Sequence, residues 1–324
     1  MPRSRKQKRM IAYEANKLKN IACIEKYPQF VLLLPLVQDP SSTVSSALDA
    51  HSALTSNVIA DAKKEIVANG KTSSASESDL LKNHPYHTWC ALFELVARTP
   101  PTQQSKLIEF ILGLQKIEVV DGETSQSDVL KYYDMEYWRQ LPGFGWEARN
   151  MFDMGSLLAS SVLFIVVTKL TFYKDVYSPS STETEKTSYE NHNAFLAQLL
   201  ATSSTSTGLD EFEALDFSFF ALRVLRDVFE NEGKKSNDLA IRSACWWLVF
   251  ATEKLWVNVV NTRDMPDSTG VGGDLYEKKG WKGFNRERWE IWREGLRNAD
   301  KDRETGKLVK DGLACMERVM GSES

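Results

Sequence analysis

The chain has 324 residues, 42% of them apolar and 26% charged, with 40 Lys and Arg against 44 Asp and Glu. That length and composition suit a globular protein with a sizeable core, and they exclude disorder, a collagen-like repeat and a disulfide-stapled miniprotein. A net charge of −4 argues against a wholly basic nucleic-acid binder, so nucleic acid is not an expected partner.

The N-terminus lacks the apolar core of a signal peptide and carries Arg3, Arg5, Lys6, Lys8 and Arg9 instead. This run is a candidate nuclear-localisation signal, or else a solvated terminus. A first helical stripe follows through Ile11, Ala15, Leu18, Ile21 and Ala22, and a second through Val44, Leu48, His51, Leu54, Val58, Ala62 and Ile66. Both are expected to pack against neighbouring helices. Residues 71–78 are Ser-rich and polar and read as a loop.

A helical hairpin comes next, with Trp89, Phe93 and Val96 on its first arm and Leu107, Ile108, Ile111 and Leu114 on its second. Pro85 is expected to open the first arm, leaving His84 in the preceding turn. After a polar break at 121–127, the segment 129–153 is divided by Leu141-Pro142-Gly143-Phe144-Gly145. The run from Leu157 to Val167 is too short and too interrupted by serine to cross a bilayer and reads as a buried helix. The stretches 178–187 and 203–208 read as loops, and 265–280, with four glycines, as a mobile one. Further stripes through Leu215 to Phe229 and Ile241 to Val259, and helices near 284–298 and 307–320, complete an all-α, irregular globular fold of roughly nine or ten helices. The expected organisation is N-terminal helices with a Ser-rich linker over 1–78, then a helical domain over 79–324, packed as one unit.

Cys23, Cys90, Cys245 and Cys315 are far apart and form no Cys-x-x-Cys pair, so they read as small core residues in a reducing, intracellular compartment, cytoplasmic or nuclear. His84, His87 and Cys90 have the right elements for a metal site, but no fourth ligand accompanies them. His51, on an apolar stripe, is either a base of shifted pKa or a core histidine held by one hydrogen bond. The glycine clusters at 143–145 and 270–273 lack the context of a phosphate loop. Trp281, Phe284, Arg286, Arg288, Trp289, Trp292 and Arg293 interleave aromatics with arginines; the spacing favours an amphipathic helix docking its tryptophans over a stacking surface. No cofactor or metal is expected.

Trp138 to Asn150, Asn193 to Ala197, Phe219 to Asp227 and Arg288 to Trp292 together resemble, in order and spacing, a fungal family of uncharacterised helical proteins, domain of unknown function 3632. Asn150 stands where that family is expected to carry an acidic residue, with Asp153 further on. The resemblance implies a fungal, intracellular, all-helical protein and transfers no catalytic residue. Physically, Leu141-Pro142 ends one helix, two glycines turn the chain, and Trp138, Phe144 and Trp146 are expected to fill the corner. The resulting expectation is a non-enzymatic helical protein that binds a protein partner or a small apolar ligand, with His84, His87, Trp138, Trp146, Arg149 and Asp153 as the candidate pocket. The alternatives are an enzyme with a cleft at the same residues, and a nuclear regulator using Arg3 to Arg9.

Overall fold

The computed structural model describes residues 5–68, 78–120, 129–154, 176–177, 181–203, 214–232, 237–266, 269–299 and 301–322. It is all-α: among the described residues the longest strand pairing is a two-residue ladder, Lys131 with Glu136 and Tyr132 with Met135. No helix in these residues is long and apolar enough to cross a membrane. The expected loops at 71–77, 121–127 and 204–208 and the apolar stretch 157–167 lie outside the described residues.

The chain divides into two compact units, 1–174 and 175–324. The first contains α1 (Arg5–Ile24), α2 (Pro28–Leu33), α3 (Pro35–Gln38), α4 (Val44–Ala68), α5 (Asp79–Arg98), α6 (Ser105–Leu114), β1 (Lys131–Tyr132), β2 (Met135–Glu136) and α7 (Phe144–Met154). Both α2 and α4 pack on α5, and α4 also packs on α6. The helices before residue 78 thus share a core with those after it, and the division lies near residue 174.

The centre of this unit is α5, whose residues from Thr88 to Val96 are all buried. That run is apolar on every side but for Thr88 and Glu94, as a helix segment in a core must be. Ser78 caps it, its Oγ accepting from the Leu80 amide at 3.2 Å, so the helix starts before the expected point and Pro85 lies inside it. Proline has no amide to donate to the carbonyl of Leu81. The Tyr137 hydroxyl supplies that donor at 2.7 Å, which lets α5 continue through the proline.

The corner before α7 is turned by Leu141 at φ +49° and Gly143 at φ +78°, whereas Gly145 is already helical. The Trp89 indole N–H donates to the Pro142 carbonyl at 2.8 Å and holds the turn. Trp138 and Phe144 fill the corner as expected, both fully buried, with Phe144 stacked on Phe93. Trp146 does not: it is 63% exposed. Two positions after Phe144, Trp146 lies about 200° round the helix from that buried ring and so faces outward.

The α1 stripe also departs from expectation. Ile24 is buried and Ile21 half-buried, but Ala15, Leu18 and Ala22 are exposed, as is Cys23. The helix docks through an arc displaced from its apolar stripe. Cys90 and Cys245 are the buried thiols.

The second unit contains α8 (Glu183–Thr202), α9 (Ser218–Phe229), α10 (Asp238–Phe250), α11 (Thr252–Val260), α12 (Arg286–Arg297) and α13 (Arg303–Gly321). Here α10 packs against both α8 and α13. The stretch expected as a loop through 187 becomes helical at Glu183. Thr182 Oγ1 accepts from the Glu185 amide, and the Glu185 carboxylate accepts from the Thr182 amide. This reciprocal cap satisfies two amides that a helix start would leave open.

Candidate functional site

Two polar centres are built into the described cores. The first joins α4 to α5 through a repeated spacing, His51 with Thr55 and His84 with Thr88. One turn apart on a helix, each hydroxyl returns to its own histidine's carbonyl: Thr55 Oγ1 to His51 O and Thr88 Oγ1 to His84 O, both at 2.9 Å. The imidazoles then cross between the helices. His51 Nε2 lies 3.2 Å from Thr88 Oγ1, and His84 Nε2 lies 3.0 Å from Thr55 Oγ1.

Proton counting assigns the tautomers. Each threonine has spent its proton on a carbonyl, so each Nε2 must be the donor. His84 Nδ1 is then an acceptor, matched by Gln29 Nε2 at 2.8 Å. The Trp138 indole N–H also donates to Thr55 Oγ1, at 3.2 Å. Two buried acceptors remain without a partner, His51 Nδ1 and Gln29 Oε1.

The rings stack with centroids 5.3 Å apart, and Trp138 meets them edge-on at 4.7 Å from His51 and 5.3 Å from His84. His51 is 0% and His84 1% exposed. Burial lowers both pKa values, His84 to about 3 and His51 well below its ordinary value; a neighbouring imidazole adds to each, His84 to His51 and His87 to His84. A charged imidazolium has no water here and no carboxylate partner in the bonds just described, so both rings are neutral near pH 7. The pair is a structural crosslink between two helices.

The candidate residues therefore separate. His84 and Trp138 come together, and His51 joins them. His87 turns away and is half-buried, its ring 4.1 Å from that of Tyr27. His84 spends both nitrogens on Gln29 and Thr55, so the three-residue spacing to His87 and Cys90 does not converge. Among the described residues no group of three or more His, Cys, Asp or Glu is placed to hold a metal ion. Trp146 and Arg149 lie on the exposed side of α7, and the Asp153 side chain is outside the described residues. The expected cleft is not formed at His84, which is enclosed on all sides. Arg3 is also outside the described residues, and Arg5, Lys6, Lys8 and Arg9 occupy the first turns of α1. Sequence reasoning missed Gln29, Thr55 and Thr88; the signal available was the His-x-x-x-Thr spacing shared by α4 and α5.

The second centre is an ion pair, Arg288 with Glu230, both 0% exposed. Arg288 Nε and Nη2 donate to Glu230 at 2.8 and 3.0 Å, and the Trp292 indole N–H donates to Glu230 Oε1 at 2.7 Å. The remaining guanidinium protons reach the carbonyls of Gly270, Gly283 and Val271. Glu230 Oε2 accepts from the Gly273 amide at 2.9 Å. The loop expected to be mobile is thus tied to a buried charge pair. Its glycines serve close approach: a Cβ on Gly270 would lie 2.1 Å from the Lys282 carbonyl oxygen, and one on Gly273 2.7 Å from that of Glu230. Phe284, Arg288, Trp289 and Trp292 are buried, so this part of the aromatic–arginine cluster is core, while Trp281 and Arg293 are half-buried and Arg286 is exposed. Beside it an open groove of about 440 Å³ is lined by Trp281, Phe284, Lys282, Asp264 and Glu287 among others.

Neither a curated protein nor a solved structure matches the chain. A family model described as a protein of unknown function (DUF3632) matches residues 89–296. The resembling segments fall within that span, from the Trp138 corner to the Arg288–Trp292 keystone, and the chain belongs to this family.

Proposed function

We propose that the chain is a binding protein that engages a protein partner through the exposed face of α7. What supports this reading is one contrast. His51 and His84, the titratable groups that resemble chemistry, are enclosed in the core, whereas Trp146 stands 63% exposed at the start of α7, with exposed Arg149 one turn on. Large exposed aromatics beside arginine are the residue types that dominate interface energetics. The fungal origin and intracellular location implied by the family resemblance belong to the same proposal.

The test is a binding titration of a purified partner, first recovered by affinity capture, against the parent chain and Trp146→Ser. A Kd at least about tenfold weaker with an unchanged melting temperature supports the reading. Equal affinity for both overturns it, as does stoichiometric zinc or iron in the purified protein, which would return attention to an enzyme. A second reading, a small amphipathic ligand, is favoured by the groove lined by Trp281, Phe284 and Lys282; quenching of Trp281 fluorescence by such a ligand, absent in Trp281→Phe, would support it.

A further inference from the structure

We propose that α1 seats on an anionic membrane surface, lying along it without crossing it. This proposal concerns a different element from the Trp146 face and stands independently of it.

Three observations lead there. First, α1 carries six basic residues, Arg5, Lys6, Lys8, Arg9, Lys17 and Lys19, against the single acid Glu14, in a chain whose net charge is −4. Secondly, its apolar positions Ile11, Ala15, Leu18 and Ala22 follow a four-three-four spacing, which at about 100° per residue places them on one face of the helix. Thirdly, at its described positions, Ala15, Leu18 and Ala22, that face is not the one that docks. Ile24 is buried against the unit, while Leu18 is 66% exposed and Ala15, Lys19 and Ala22 are exposed with it. The basic positions Lys8 and Lys19 border the apolar face, and Arg5 and Arg9 continue the arc beyond them.

An apolar stripe, exposed at Ala15, Leu18 and Ala22 and edged by lysine and arginine positions, has the pattern of an interfacial helix. Charge chooses the occupant. A second copy of α1 would bring six more positive residues against the first, so like-charge repulsion opposes a homodimer through this face. A duplex nucleic acid would satisfy the basic arc but offers nothing to Ile11 and Leu18. Anionic headgroups satisfy the basic arc while the acyl boundary accepts the two bulky apolar residues. The remaining stripe positions are alanines, so seating is shallow and electrostatics provides most of the affinity. Binding should therefore weaken steeply with salt, as the screening length contracts.

The experiment is co-sedimentation of the full chain with vesicles of phosphatidylcholine alone, or with phosphatidylserine added. Sedimentation only with the anionic vesicles, and its loss at high salt, is expected. Converting Arg5, Lys6, Lys8 and Arg9 to Glu should lower partitioning at least about a hundredfold. Leu18→Ser should lower it several-fold with the melting temperature unchanged, because the residue is exposed. Failure to sediment with anionic vesicles at low salt overturns the proposal. So does sedimentation that Leu18→Ser leaves unaltered; equal binding of that variant and the parent to duplex DNA would then identify a phosphate polymer as the occupant.

Discussion

The Tyr137 hydroxyl stands 2.7 Å from the carbonyl of Leu81, the acceptor that Pro85 leaves without an intrahelical donor. Burial raises the pKa of this phenol, so it remains a donor at every physiological pH. Tyr137→Phe removes the donor and leaves a buried carbonyl unsatisfied, at an expected cost of about 1–3 kcal/mol. Adding Pro85→Ala restores an amide one turn along and should recover most of that loss. Urea denaturation of the two variants checks this; a double variant no more stable than Tyr137→Phe would show that the hydroxyl does something other than replace the missing amide.

The histidine pair makes the first unit acid-labile. Above the unfolded value of about 6.5 both states are neutral and the pair imposes no pH dependence. Below it the unfolded chain takes up a proton that the folded His84 refuses until about pH 3, so stability falls as pH drops through that window. By pH 5 His84 alone should cost about 2 kcal/mol, and His51, whose pKa is also lowered by burial, acts in the same direction. Hydrogen exchange of the α5 amides at pH 7 and pH 5 measures it, and His84→Gln should flatten the slope. An unchanged slope in that variant would remove His84 as its source.

Glu230 is the counter-ion of the fully buried Arg288 guanidinium. Glu230→Gln keeps the shape and leaves the guanidinium buried without its counter-ion, an expected loss of about 3–5 kcal/mol. Faster amide exchange around 270–275 should accompany the loss, because Gly270, Val271 and Gly273 hang from the same pair. Exchange confined to the rest of the unit would mean that the loop is held by other contacts.

Two tryptophans of the same signature should behave oppositely. Trp138→Ala empties a fully buried site that also donates to Thr55, and should cost about 3–5 kcal/mol. Trp146→Ala removes an exposed ring and should change stability by less than about 0.5 kcal/mol. Thermal melts of the pair decide; a large loss at Trp146 would place it in a core and remove the basis of the proposed binding face.

Much of the helical layout was legible because helical periodicity is a local property. The stripe of α4 anticipates buried His51 and Ala62, and the tryptophans of α12 are inside as their spacing suggests. Ends and outliers were less legible. Pro85 reads as a helix start until Tyr137, fifty-two residues away in sequence, provides the missing donor. The glycines of 265–280 read as freedom until Arg288 and Glu230 are seen to need backbone at that distance. The α1 stripe has the right period and faces outward, because periodicity identifies a face without saying what covers it.

The amino-acid sequence alone determined that this chain is helical, where most helices lie, and which family it resembles, since propensity and spacing act over a few neighbouring residues. Only the tertiary structure decided that His51 and His84 are enclosed and held neutral by burial, that Trp138 is core while Trp146 is surface, and that a glycine-rich loop is anchored. Each of those depends on which distant segment covers a side chain, and local spacing does not specify that.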